Sequence, residues 1–445
     1  MPEPTQEQVS IINFPADEHL AVEAVPGSGK CLGKDTPVML FDGTVKAVQD
    51  IVPGDLLMGP DSKPRTVLST SVGYGNLYKI VPTKGDAWIC NEEHILTLVY
   101  SGKEEVEDVS LPEYFARSRA YRERAKLFRV PVDFPKKELP VDPYLLGVWL
   151  GDGHRDNPII TNKEPIIQEY CVAKANELGI SAIVVDAPEI NSQYIYLTNN
   201  YKGNPLRKFF ASCVTDDGEK FIPQDYLTSS REDRLDLLAA LLDTDGYYNG
   251  GCFEITTKYN TLKDNILFLA RSLGFAAYAK RKVAAIKSLG FSGEYWRISI
   301  SGDVSIIPNK IPRKQASPRR QIKNVLRTGF SVEGIGKGAY YGFTLDGDGR
   351  FLLGDFTVTH NTFTIAYRVK AFLDQGVDPA NILVCTFSRS QAEDMSLRIL
   401  SFLKQHYPTI GLSALANGFG EGIGQITTIH ATARRMLIYY PEYTK

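Results

Sequence analysis

One short motif, broken in two, limits what this chain can fold into. Gly27-Ser28-Gly29-Lys30 is the end of a phosphate-binding loop. In such a loop glycines let backbone N–H groups surround phosphate oxygens, and the lysine reaches the outer phosphates. The next residue should be Ser or Thr, whose hydroxyl holds Mg²⁺, yet it is Cys31. A suitable threonine stands at 362. Joining Lys30 to Thr362 gives AVEAVPGSGKTFTIAYRVKAFLDQG. That is an apolar strand, a glycine turn and a helix with Ile365, Val369 and Phe372 on one face, ending near Gly376. Everything from Cys31 to Asn361 is therefore read as an insert.

The insert has reactive ends. Cys31 carries a thiol that can attack the Lys30 carbonyl. Thr362 offers a second nucleophile, Asn361 can cyclise onto its own carbonyl, and His360 can polarise that carbonyl or donate a proton. These junctions resemble those of inteins, self-splicing protein inserts. CLGKDTPVMLFDGTVKAVQDIVPGDLLMGPD, with turns at FDG and PGD between alternating strands, resembles the opening block of the β-rich Hint (intein/Hedgehog-type) fold. WICNEEHILTL resembles its second block, which implies that His94 acts on the Lys30–Cys31 amide. Asn91 stands where that block usually has Thr, and Gly342 where the closing block often has Asp.

Inside the insert a pattern repeats. YLLGVWLGDG (144–153) and DLLAALLDTDG (236–246) each run apolar into Asp-Gly. Both are too short to span a membrane, and both carry small residues, Gly147 and Ala239-Ala240, suited to close helix packing. Glycines in ELGI and SLGF and lysines at 220 and 310 follow at matching distances. Packed side by side, the helices would bring Asp152 and Asp245 together as metal ligands, with Lys220 and Lys310 beside them and Lys314 a rival to Lys310. The pair resembles the LAGLIDADG homing endonucleases, which implies an α/β saddle-shaped, Mg²⁺-dependent nuclease. It would be monomeric with a pseudo-two-fold repeat, acting on double-stranded DNA of the uninterrupted gene. DNA contact needs basic side chains. Arg297 in YWRISISG could face a groove, and Arg313, Lys314, Arg319 and Arg320 lie in a basic stretch that is read equally as DNA contact or as a solvated linker.

The flanks carry their own signal. PTQEQVSIINFPADEHLAVEAVPGSGKT resembles the start of UvrD/Rep-type superfamily 1 helicases, which implies that Gln8 reads adenine. It also implies that Gly27, Ser28, Gly29, Lys30 and Thr362 hold ATP and Mg²⁺, with single-stranded DNA as partner. No acidic metal-binding strand or second motor domain follows, so the flanks read as a truncated helicase, inactive as given. The expected architecture is multi-domain. Residues 1–30 and 362–445 form a partial RecA-like α/β P-loop domain, 31–140 and 321–361 the splicing domain, and 141–320 the endonuclease. The net charge of −2 confines any nucleic-acid surface to local patches. Six cysteines without paired spacing fit a reducing cytoplasm. Two other readings stay open, a splicing element with an inactive nuclease and an ATP-binding module with a non-splicing insertion.

Overall fold

The computed structural model describes residues 31–199, 203–286, 291–318 and 323–360, and beyond them only 369, 372–374, 376–377, 382, 384–386, 399 and 426–428. Gln8, Gly27, Ser28, Gly29, Lys30, Arg319, Arg320, Asn361 and Thr362 lie outside the described residues. In the C-terminal flank Val384–Thr386 and Ile426–Thr428 pair in parallel, the pairing of an α/β domain.

Two ends of the insert fold as one β-rich unit. The 19-residue strand Pro64–Pro82 pairs antiparallel with Phe330–Leu345 along nearly its whole length, from Phe330↔Pro82 to Leu345↔Val67. This ladder sews residues before the inner domain to residues after it. Alternating apolar side chains from both segments, among them Val67, Ile80, Phe343 and Leu345, enter one core with Trp88, Leu96, Leu98 and Phe351.

The inner domain is built on two helices, α1 (Pro143–Asp152) and α2 (Arg231–Asp245). Each starts at a capping side chain: Asp142 accepts from Leu145 N, and Ser230 from Asp233 N. The central turns of each helix, Leu145–Leu150 of α1 and Leu237–Leu242 of α2, are apolar all round and buried. They pack closely because Gly147 lies against α2, where a Cβ would stand 2.6 Å from Ala240 Cβ. Each leads into a sheet. The first has the order Ile159–Thr161, Ser192–Thr198, Ser181–Ala187, and the second Gly246–Asn249, Cys252–Thr257, Phe291–Ser301, Ala276–Ile286. The first half has only the bridge Gly153↔Ile160 where the second has its strand Gly246–Asn249. Helices Pro165–Glu177 and Asn260–Ser272 end alike, at Gly179 (φ +66°) and Gly274 (φ +90°). There the left-handed backbone lets Ile180 N reach Ala175 O and Phe275 N reach Ala270 O. Side chains from both halves share one core.

A third cluster bridges the two units. Met39, Met58, Leu352, Phe356 and Val358 of the β-rich unit meet Val132 and Phe134 of the connecting segment, with Phe268 of the inner domain against them. No helix among the described residues is long and apolar enough to cross a membrane.

Candidate active sites

One pair of consecutive strands, each in a different sheet, carries both ends of the insert. Its strands are Trp88–Asn91 and Ile95–Tyr100, separated by residues 92–94. Leu32 pairs with Cys90 on the first strand, and His360 pairs with Ile95 on the second. Junctions at opposite ends of the insert thus pair with strands that follow one another in the chain, across a three-residue connection. Cys31 N donates to Asn91 Oδ1 at 2.9 Å, and Asn91 N donates to Cys31 O at 3.0 Å. The nitrogen of the Lys30–Cys31 bond is therefore held by the side chain that replaces the usual threonine. His94 is buried, with Nε2 2.7 Å from Thr359 Oγ1 and its ring edge-on to Trp88. It touches the strand of the second junction. Lys30, whose carbonyl it is expected to serve, is outside the described residues.

The Cys31 thiol is 1% exposed. Burial pushes its pKa up to about 12, against a lowering hydrogen bond with Ser71. Gly342 gives it room, because a Cβ there would overlap Cys31 Sγ. An Asp at 342 would collide with the nucleophile. The thiolate is the attacking form, so thiol-induced cleavage at Cys31 should accelerate about tenfold per pH unit between 7 and 9, without a plateau. Release of the segment before Cys31, followed by mass spectrometry across that range, checks this; a plateau near pH 7 contradicts it.

Asp152 and Asp245 end α1 and α2, the two helices that pack side by side. The Asp152 carboxyl is pushed up to about 6, first by burial and further by the charge of Asp245, against a 2.6 Å hydrogen bond from Asn162 Nδ2. Asp245, more open to solvent, is raised as well, by desolvation among the packed helix ends against Lys220 and Lys314. Two carboxyls whose charged forms are disfavoured by burial, Asp152 further by the charge of Asp245, are relieved by a divalent cation, so this pair fits one. Among the described residues no group of three or more His, Cys, Asp or Glu could hold a metal. Two carboxylates suit Mg²⁺, which takes its remaining oxygens from water and phosphate.

The lysines are placed differently from the expectation. Lys220 Nζ donates to Trp149 O, Leu150 O and Gly153 O at 2.8, 3.2 and 2.7 Å. Lys314 Nζ does the same for α2, reaching Leu242 O, Asp243 O and Thr244 O at 2.9, 2.6 and 3.1 Å. All three protons of each ammonium are used, so each lysine caps a helix C-terminus. Burial brings Lys220 down to about 8 and lowers Lys314 too. Lys314, not Lys310, is the counterpart of Lys220. Lys310 Nζ lies over the Tyr144 and Tyr170 rings, and its backbone N–H donates to Asp243 Oδ2. Asp243 also accepts from Tyr144 Oη and Asn309 Nδ2, which makes it a structural acceptor. Lys314→Met should cost about 3 kcal/mol of stability by stranding buried carbonyls, and Lys310→Met under about 1 kcal/mol. Denaturant unfolding compares them; equal losses would return Lys310 to the symmetric position.

Of the expected DNA contacts, Arg297 lies on the open face of the second sheet. It pairs with Thr256 and Lys280, its Nε is 3.8 Å from Glu254, and Ile298 and Ile300 alternate into the core. Arg313 is held by Glu164 through two 2.8 Å bonds, and Lys314 is buried at its helix end rather than turned to a phosphate. Ser71, Thr359 and Asn162 were not signalled by the sequence. Each is an isolated polar residue whose partner is brought to it by folding.

Residues 31–123 match the family model described as Hom_end-associated Hint, and residues 359–445 that of the UvrD/REP helicase N-terminal domain. The chain is 29% identical over 290 residues to the replicative DNA helicase DnaB of Mycobacterium intracellulare, covering 59% of this chain and 46% of that one. It is 25% identical over 248 residues to the homothallic switching endonuclease of Saccharomyces cerevisiae, covering 48% and 42%. It thus spans under half the length of these curated relatives. Similar solved structures include the gp41-1 intein (23% identity, 23% of this chain and 70% of that chain, TM-score 0.19). Another is I-DmoI in complex with DNA and Mn (16% identity, 41% and 98%, TM-score 0.27).

Proposed function

We infer that this chain, an intein with a LAGLIDADG-type domain set between two segments of a UvrD/REP-type helicase, excises residues 31–361 and joins Lys30 to Thr362. The observation that supports this most directly is the pair of consecutive strands, Trp88–Asn91 and Ile95–Tyr100, with which the two ends of the insert pair. The Cys31 thiol adds to the Lys30 carbonyl; the Lys30–Cys31 C–N bond breaks, a thioester forms, and the cysteine nitrogen takes the proton. Asn91 orients that nitrogen and His94 supplies the proton. Thr362 Oγ then attacks the thioester, expels the Cys31 thiolate and gives an ester. The Asn361 side-chain nitrogen attacks its own carbonyl, with His360 protonating the departing Thr362 nitrogen. The freed amine displaces the ester and leaves a peptide bond. A reducing cytoplasm keeps Cys31 a thiol.

The inner domain cleaves double-stranded DNA where the codons for Lys30 and Thr362 are contiguous, acting as a monomer whose pseudo-two-fold repeat matches a pseudo-palindromic site. Asp152 and Asp245 would hold Mg²⁺, which supplies Lewis-acid polarisation of the scissile phosphates and an activated water. Lys220 and Lys314 lock the helix ends that present these carboxylates, and Arg297 meets the DNA backbone. The ligated flanks regain a complete phosphate loop for ATP, Mg²⁺ and single-stranded DNA.

Splicing is tested by adding dithiothreitol to an Asn361→Ala chain. Thiol-dependent release of the segment from Met1 to Lys30 is expected. An inert chain contradicts the reading.

A further inference from the structure

The turn that leads into the second junction is fastened from the inner domain. Residues 353–357 connect strand Arg350–Leu352 to Val358–His360. Within that turn Phe356 has φ +71°, a backbone state that bulky residues rarely adopt, and its side chain is fully buried. Such a conformation persists only where the surroundings over-determine it. Here the surroundings belong partly to the inner domain. The Phe356 ring lies 5.2 Å from that of Phe268, on helix Asn260–Ser272, and Val130 N of the connecting segment donates to Phe356 O at 3.4 Å. The neighbouring Asp355 is gripped by Arg129: Nε donates to Asp355 O at 3.0 Å, and Nη2 to Oδ2 at 2.5 Å. Arg129 Nη1 in turn donates to Tyr278 Oη at 3.2 Å, on strand Ala276–Ile286 of the inner domain. Against the desolvation of burial, Arg129 and Arg271, the latter also from the inner domain, hold Asp355 ionised.

We propose that Phe268 and Tyr278 of the endonuclease domain are positioning residues for the second half of splicing: through Phe356 and Arg129–Asp355 they hold the turn that aims His360 at the Asn361 carbonyl. The proposal rests on the splicing reading. It separates the two halves of the reaction. The Cys31 junction is held instead by Asn91, Ser71 and the Cys90 strand, all from the β-rich unit. Loosening the turn should therefore slow cleavage at Asn361 and spare thioester formation at Cys31.

The full chain tests this in two blocked backgrounds. With Cys31→Ala, release of the segment after Asn361 reports the second step. With Asn361→Ala, release of the N-terminal segment by dithiothreitol reports the first. Phe268→Ala is expected to slow the second step at least tenfold and to change the first less than twofold, with Phe268→Leu restoring most of the loss. Tyr278→Phe, which removes a single hydroxyl, should slow the second step alone by about threefold. Unchanged rates, or equal slowing of both steps, would overturn the proposal. A parent chain inert in both backgrounds would instead overturn the splicing reading on which it rests.

Discussion

Cys31→Ala is expected to reduce the ligated product below detection, at least a thousandfold under the unaltered chain. The first covalent step needs a nucleophile on the residue after the scissile carbonyl, and alanine has none. The effect should be chemical rather than structural. The side chain is small and only one sulfur atom is removed, so the loss of stability should stay at about 1 kcal/mol. The second junction retains His360 on its strand beside Ile95, and cleavage there should continue slowly. Adding Asn361→Ala should stop that as well and leave the full chain intact. Ligation surviving in the single variant would remove Cys31 from the mechanism.

Asp152→Asn should abolish cleavage of intein-free DNA, by a thousandfold or more, and at the same time stabilise the protein at pH 7. Its activity loss follows from removing one of two carboxylates that share a cation. The stability gain follows from the sign of the pKa shift. The folded carboxyl titrates at about 6, above the ordinary 3.8. Its contribution to stability is therefore full below pH 3.8 and lost as pH rises through 6, and at pH 7 the ionised group strains the helix ends. Asparagine removes that charge at nearly the same shape, for a gain of about 2 kcal/mol. Melting curves in chelator should show the variant above the parent at pH 7 and level with it near pH 4. A variant that still cuts, or melts lower at pH 7, contradicts the assignment. The trade is the usual one for a site that holds like charges together.

The junctions were legible because their chemistry admits few residue types, and because two distant fragments complete one motif. The inner helices were legible from apolar runs ending in Asp-Gly, and their close packing from Gly147, which folding sets against Ala240. The second lysine was not. Matching distances from the Asp-Gly pairs pointed to Lys310, whereas the position is decided by which ammonium reaches three carbonyls at the end of α2, and that is Lys314. Ser71, Thr359 and Asn162 could not be read for a related reason. They act across strands or between elements, and such pairings follow register, which spacing along the chain does not disclose. The link from the inner domain to the second junction was equally hidden, since Phe268 and Phe356 are far apart in the chain and meet only after both units have folded.

The most direct measurement is mass spectrometry of tryptic and acid-protease digests of the freshly expressed, unaltered chain. The splicing reading requires a short ligated protein containing the continuous sequence PGSGKTFTIAY, in which Lys30 is bonded to Thr362, beside a free insert running from Cys31 to Asn361. A chain that stays whole at 49.5 kDa, with peptides reading through Lys30–Cys31 and Asn361–Thr362, would contradict it.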